Sequence, residues 1–277
     1  MKVLFIADIV GKPGRWATSQ LLPDLRKNLD IDFVIANVEN SAGGFGLTKE
    51  ISQKIFSYGV DCQTSGNHIW DRKDIFPYLQ EESRLLRPAN YPCQDPGKGS
   101  GIYSTKKGEK IGVLNIQGRV FMKEIDCPFK VSLQEIEKMK SQTSIIIVDM
   151  HAEATSEKMA LAWYLDGKVS AIIGTHTHVQ TADETILPKG TAYLTDVGMV
   201  GPHESVIGIR KDDAIQRFLT QIPHKFRLGL EDVKFSAAVV EVDSATGKAN
   251  RIERLKIDMP KDFSSRLDSM LKTEESE

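Results

Sequence analysis

The chain has 277 residues, 40% of them hydrophobic and 27% charged, with a net charge of −2. That balance is ordinary for a globular protein and gives no support for a broad nucleic-acid-binding face, although local basic patches are compatible with it. No apolar run approaches the roughly 20 residues that cross a bilayer, and the short apolar start runs into Asp8 too soon for a signal peptide. A cytoplasmic setting is therefore expected, with Cys62, Cys93 and Cys127 as reduced thiols whose odd number and wide spacing suit neither a zinc knuckle nor a disulfide framework.

In chain order, Lys2 to Asp8 reads as a strand buried on both faces. Gly11-Lys12-Pro13-Gly14 makes a turn, and Arg15 to Asn28 has apolar residues at helical spacing, with Pro23 a kink or an early stop. Phe33 to Val38 is a second strand, ending on Glu39-Asn40. The loop Ser41 to Leu47 has three glycines and the freedom of a flap, and Thr48 caps a helix through Tyr58. Asp61 to Ser65 is a short strand that closes on Gly66-Asn67-His68. This alternation predicts βαβ units and a parallel sheet.

The middle is looser, with a loop from Arg87 to Gly101 and a hairpin from Gly101–Thr105 and Lys110–Gln117. Val131 to Lys140 is a predicted helix. Ile145 to Val148, the most apolar strand, ends on Asp149-Met150-His151. A helix from Ser156 to Leu165 leads to a strand, Val169 to Ile173, and then to Gly174-Thr175-His176-Thr177-His178. Strands at Thr185–Leu187 and Ala192–Leu194, a helix over Asp212–Thr220, and strands at Phe235–Val242 and Ile252–Ile257 follow. One domain over 1–263 and a polar tail over 264–277 is the expected organisation.

The carboxyl ends of the strands carry Asp8, then Glu39 and Asn40, then Asn67 and His68, then His151, then His176 and His178. Loops gather at that edge of an open α/β sheet, so ligands bind there. Singly, each residue has a structural explanation: a cap, a turn residue, a satisfied core histidine. Together they make an imidazole, carboxylate and amide set without thiolates, which favours iron, manganese or zinc in a working site over structural zinc. In extended backbone His176 and His178 would point the same way. The set exceeds one tetrahedral ion, and two ions sharing a bridging carboxylate would use all of it. Two divalent ions against Asp8 and Glu39 leave about two positive charges, which a hydroxide and a phosphodiester would balance.

The motifs Ala7-Asp8-Ile9-Val10-Gly11, Val38-Glu39-Asn40, Gly66-Asn67-His68-Ile69-Trp70-Asp71, Asp149-Met150-His151-Ala152-Glu153-Ala154-Thr155-Ser156-Glu157 and Gly174-Thr175-His176-Thr177-His178 resemble the calcineurin-like metallophosphoesterases. More closely, they resemble the YmdB family of 2′,3′-cyclic-nucleotide phosphodiesterases. The resemblance implies an α/β sandwich of β-sheets flanked by helices. It implies one metal on Asp8, Glu39, Asn40 and His178 and another on Glu39, Asn67, His151 and His176, with Glu39 as the bridge. Val10 and Glu39 depart from the wider superfamily, which has histidine and aspartate there, but agree with the YmdB group. The implied cofactor is a pair of divalent or mixed-valence ions, iron first and manganese or zinc next. The implied reaction is metal-hydroxide attack on phosphorus, with His68 as general acid, or in a phosphate-orienting or structural role. The alternatives are a phosphomonoesterase with the same site, or a metal-binding regulatory protein of RNA metabolism. Expected partners are a small phosphodiester substrate, an RNA-processing protein and further copies of the chain, with no membrane.

Overall fold

The computed structural model describes residues 1–260; the expected boundary at 263 and the polar tail lie outside them. The strands are β1 (Lys2–Ile6), β2 (Asp8–Ile9), β3 (Phe33–Asn37), β4 (Cys62–Thr64), β5 (Ser100–Ser104), β6 (Lys110–Gln117), β7 (Ile146–His151), β8 (Ala171–Thr175), β9 (Thr185–Ile186), β10 (Ala192–Leu194), β11 (Met199–Pro202), β12 (Val233–Val242) and β13 (Ala249–Asp258). The helices are α1 (Gly11–Asn28), α2 (Lys49–Ser57), α3 (Ile75–Glu81), α4 (Pro128–Lys140), α5 (Thr155–Leu165) and α6 (Lys211–Thr220), with one 3₁₀ turn at Asn67–Trp70.

The strands form two sheets. One has the order β2-β11-β12-β1-β3-β4, with β13 also on β12; the other has the order β5-β6-β7-β8-β10-β9. The α/β sandwich flanked by helices is therefore present. Within it, β1, β3 and β4 run parallel, as do β6, β7, β8 and β10, and antiparallel strands complete each sheet.

Alternation along β7 and the residue before it explains how the sheets meet. Ile145 and Ile147 join the core shared with Val3, Phe5, Ile35 and Phe235 of the other sheet. Ile146, Val148 and Met150 point the other way, against Ile136 of α4 and Leu161 and Leu165 of α5. Period-two geometry thus carries Asp149 and His151 to the inter-sheet side, where the core becomes polar. All six residues of β7 are buried, so the strand is longer than its apolar run alone suggests.

Several boundaries differ from expectation for identifiable reasons. The first strand breaks at Ala7 because it serves two neighbours: Lys2–Ile6 pairs with β12, whereas Asp8–Ile9 pairs with β11. β11 is hidden in sequence by its glycine and proline. α1 starts at Gly11, inside the expected turn, and continues through Pro23 to Asn28. Proline lacks the amide hydrogen, but the buried face of Ala17 and Leu22 holds this helix on the sheet. Thr48 does cap α2, its side chain accepting from the Ile51 amide at 3.3 Å. Cys62, Cys93 and Cys127 are free thiols, and burial pushes Cys62 far above the ordinary thiol range, away from nucleophilic use.

Candidate metal centre

The strand ends bring the polar residues into two adjoining groups. His151, at the end of β7, is fully buried. Its Nδ1 lies 2.9 Å from Thr175 Oγ1, whose hydroxyl donates to Asp149 Oδ1 at 2.7 Å. Asn37 Nδ2 donates to the other Asp149 oxygen at 3.2 Å. Since the Thr175 proton goes to Asp149, Thr175 accepts from His151 Nδ1–H, and Nε2 faces the site. Asp149 therefore orients His151 through a hydroxyl rather than by direct contact. Burial raises its own pKa to about 7 against the opposing effects of His151, Thr64 and Thr175.

Around His151 Nε2 lie Glu39 Oε1 at 2.9 Å, Asn67 Oδ1 at 3.1 Å and His176 Nδ1 at 3.1 Å. The ligating atoms of Glu39, His151 and His176 all fall within 4.8 Å of one another. Glu39 is fully buried, and its Oε1 has no hydrogen-bond partner, while Oε2 accepts the His68 amide at 2.8 Å. One proton on Nε2 cannot serve three acceptors at once; a cation can. Burial disfavours protonation of His151, but the charge of Glu39 outweighs it and raises the pKa. The same field favours a metal ion in the proton's place. His176 is lowered to about 3, by burial first and by the charge of His151 next, and so presents a neutral ring. Its Nε2 is held 3.2 Å from Glu153 Oε2, which leaves Nδ1 for the site.

The second group contains Asp8, Asn40 and His178. His178 Nε2 is 3.1 Å from the Asn40 amide and 3.7 Å from Asp8 Oδ1; Asn40 is 3.5 Å from Asp8 Oδ1. A half-turn of the Asn40 amide exchanges its nitrogen for an oxygen donor. His178 Nδ1 bonds to the Ile207 carbonyl at 2.9 Å, fixing Nε2 toward the group. Burial would raise Asp8, but the neighbouring His178 ring brings it down to about 2. Burial would lower His178, but Asp8 lifts it to about 9. All seven predicted donor residues thus converge, and His68 adjoins them.

The turn that delivers His176 and His178 is not extended, which corrects the expectation of extended backbone there, although both rings reach the same centre. Their φ values are 96° and 64°, a left-handed region that side chains rarely occupy. A buried ion pair holds this strained turn. Lys158 Nζ donates to the Thr175 carbonyl and to Asp196 Oδ2, each at 2.7 Å, and Asp196 Oδ2 also accepts the Thr177 amide at 3.1 Å. His176 is clamped on both sides, and its amide reaches Asp8 Oδ2 at 3.3 Å. Positive-φ histidines persist only where surrounding contacts impose them.

Above the donors is a cleft of about 460 Å³, lined by His68, Glu153 and apolar side chains that include Phe45, Val179, Ile207 and Phe226. His68 Nδ1 meets Asp71 Oδ2 at 2.7 Å, and its ring lies edge-on to Phe45 with centroids 5.0 Å apart. The glycine loop expected as a flap is closed by Ala42 N–H to the Gly46 carbonyl at 3.0 Å, and Arg72 donates to the carbonyls of Ala42 and Phe45. Arg15 donates to the Ser41 carbonyl, so it braces the same loop. Sequence reasoning assigned no role to Asp71, Arg72, Glu153, Lys158 or Asp196. The first three sit within four residues of His68 or two of His151, a spacing that could have marked them. Phe226 and Ile207 carry no such local signal. His203 sits in a turn, Nδ1 facing the Gly201 carbonyl at 3.0 Å, and His224 is exposed.

The profile of the family described as YmdB-like protein matches residues 4–255. The chain is 46% identical over 257 residues to the 2′,3′-cyclic-nucleotide 2′-phosphodiesterase of Bacillus subtilis, spanning 93% of this chain and 97% of that protein. It is 38% identical to a putative phosphatase/phosphodiesterase of Mycoplasma genitalium, spanning 93% of each. Among solved structures, a hypothetical protein from Thermus thermophilus superposes with a TM-score of 0.88 at 42% identity, covering 94% of this chain and 100% of that one. A phosphatase from Mycoplasma pneumoniae gives a TM-score of 0.88 at 35% identity, covering 96% of both.

Two substitutions test the geometry. A Cβ at Gly66 would lie 2.1 Å from His151 Cδ2 and Nε2, so Gly66→Ala must displace the ring. Weakened divalent-ion binding is expected, with a stability loss of about 1–3 kcal/mol; unchanged ion binding in calorimetry would refute it. Lys158→Ala leaves Asp196 buried without its counter-charge. Chemical denaturation is expected to show a loss of about 3–5 kcal/mol, partly recovered in Lys158→Met/Asp196→Leu.

Proposed function

Because the chain belongs to the YmdB-like family, we propose that it is a metal-dependent phosphodiesterase that opens 2′,3′-cyclic nucleotides at the 2′ oxygen. By kinship with the Bacillus subtilis enzyme it is a phosphoric diester hydrolase. The observation that carries the metal-dependent reading is Glu39: a fully buried carboxylate oxygen without a hydrogen-bond partner, facing a convergent set of donor atoms. The donor chemistry fits two ions, one on Asp8, Asn40 and His178 and one on Asn67, His151 and His176, with Glu39 shared. The family resemblance puts iron first and manganese or zinc next, and a set of imidazole and oxygen donors without thiolates is compatible with all three. Residues 1–263 are read as a single domain, in keeping with the apolar core common to both sheets.

When bound, the ions supply a nucleophile from water at neutral pH and stabilise charge on the phosphoryl oxygens. The chain's residues do the rest. His68, with Nδ1 bound to Asp71, has Nε2 left to donate a proton to the departing 2′ alkoxide. The Asp71 carboxylate accepts from Nδ1 and holds the ring, and Phe45 packs edge-on beside it. The apolar wall of Phe45, Val179, Ile207 and Phe226 suits a nucleobase. Among the described residues lining the cleft there is no lysine or arginine, which suits a singly charged diester better than a doubly charged monoester.

The decisive experiment combines elemental analysis with turnover of 2′,3′-cyclic nucleotides, a chromogenic diester and a phosphomonoester by metal-loaded and chelated protein. Metal-dependent hydrolysis with diesters preferred is the expected result; absence of any metal-dependent turnover overturns the proposal, and monoester preference replaces it with a phosphatase. His68→Ala is expected to retain its ions but lose about 10²–10⁴ in rate on the cyclic nucleotide. The loss should be smaller on a nitrophenyl diester, whose leaving group needs no proton. Glu39→Gln is expected to deplete both ions; elemental analysis returning two per chain would rule out its bridging role.

A further inference from the structure

At the opposite edge of the six-stranded sheet, where β7, β8 and β10 begin, four connections converge on a hollow of about 300 Å³. Each supplies one lysine: Lys140 ends α4, Lys168 lies between α5 and β8, Lys189 between β9 and β10, and Lys248 in the β12–β13 turn. Among the described residues none of the four forms an ion pair, whereas Lys138, two residues from Lys140, pairs with Glu135 at 2.5 Å.

The backbone that carries these lysines is fixed. Ser170 Oγ donates to the Gly247 carbonyl at 2.6 Å, the Ala249 amide to the Gly190 carbonyl at 2.8 Å, and the Gly167 amide to Thr191 Oγ1 at 2.9 Å. Asp166 is buried nearby, but its oxygens accept the backbone amides of Lys189 and Thr191 at 3.0 and 3.4 Å. Asp243 is likewise engaged by the Ala245 amide and the Thr246 hydroxyl, each at 2.9 Å. Gly167, Gly190 and Gly247 have φ values of 77°, 97° and 72°. A Cβ at any of the three would strike a neighbouring segment, and the Lys248 stem lies over Gly190, with Cγ and Cδ 3.0 Å from where a Cβ would be.

Four lysines line one hollow without carboxylate partners among the described residues, and like charges repel over the screening length of about 8 Å at physiological salt. A chain of net charge −2 has no general reason to collect them on interlocked loops. We propose that this hollow binds a compact polyanion carrying two or more phosphate groups, at a site separate from the metal centre. A single monoanion would leave most of the charge unbalanced. No aromatic side chain lines the hollow, so a nucleic-acid strand would lack the stacking platforms such binding uses.

The test is calorimetric titration of the full chain with inorganic triphosphate, at low and high salt. The wild-type protein should show one saturable site that weakens as salt rises. Lys189→Glu/Lys248→Glu should weaken binding by at least about tenfold while leaving diester hydrolysis unchanged, and Lys54→Glu on α2 should leave both intact. Equal binding by wild type and the double variant overturns the proposal, as does triphosphate binding no tighter than monophosphate. Tighter binding of an oligouridylate than of triphosphate, lost in the same double variant, overturns the compact ligand in favour of an RNA strand.

Discussion

A carboxylate removed from water must be compensated, and at Glu39 the protein leaves that compensation to something beyond its own hydrogen bonds. Ionised groups lose several kcal/mol on burial unless they are paired. Glu39 Oε2 is satisfied by the His68 amide, but Oε1 faces the His151 ring in a pocket already crowded with acceptors. Asp8 and His178 settle their own burial as an opposed pair. Glu39 Oε1 is therefore the buried atom whose compensation the chain's own hydrogen bonds leave open.

Holding such a group together requires support well outside it. The inter-sheet core stops being apolar at the ends of β3, β7 and β8, where Asn37, Asp149 and Thr175 form a buried chain of hydrogen bonds behind His151. The Lys158–Asp196 pair does the same for the strained histidine turn. Helix α5 links these functions, because Lys158 clamps the turn while Glu157, one residue earlier, accepts the amides of Arg119 and Val120. Rigid placement of donors relies on these outer contacts as much as on the donors themselves.

Much of this was legible in the sequence because apolar runs announce strands, and strand ends announce where polar residues must gather. Asp8, Glu39, Asn67, His151 and His176 needed little more. What stayed hidden depended on contacts between distant segments. The break at Ala7 comes from two strands nearly 200 residues or more away in the chain, β11 and β12. The left-handed turn at His176 and His178 is imposed by Lys158 and Asp196, neither of which marks itself as a clamp. β11 reads as a loop because its glycine and proline suit a turn, although its neighbours make it a strand. Propensity is local, and these features are set by tertiary pairing.

The pairing of β1 with β12, which sets Lys2 opposite Glu241 and Ile6 opposite Ala237, also dictates an order of assembly. Contacts so far apart in sequence form late, and a chain made from its N-terminus exposes β1 long before β12 exists. Until then one edge of β1 has no partner strand, and Asp8, just beyond it, lacks the neighbours that fix it in place. During synthesis His151, His176 and His178 emerge 55 to 82 residues ahead of the start of β12 at Val233. The complete donor set therefore belongs to the finished sandwich.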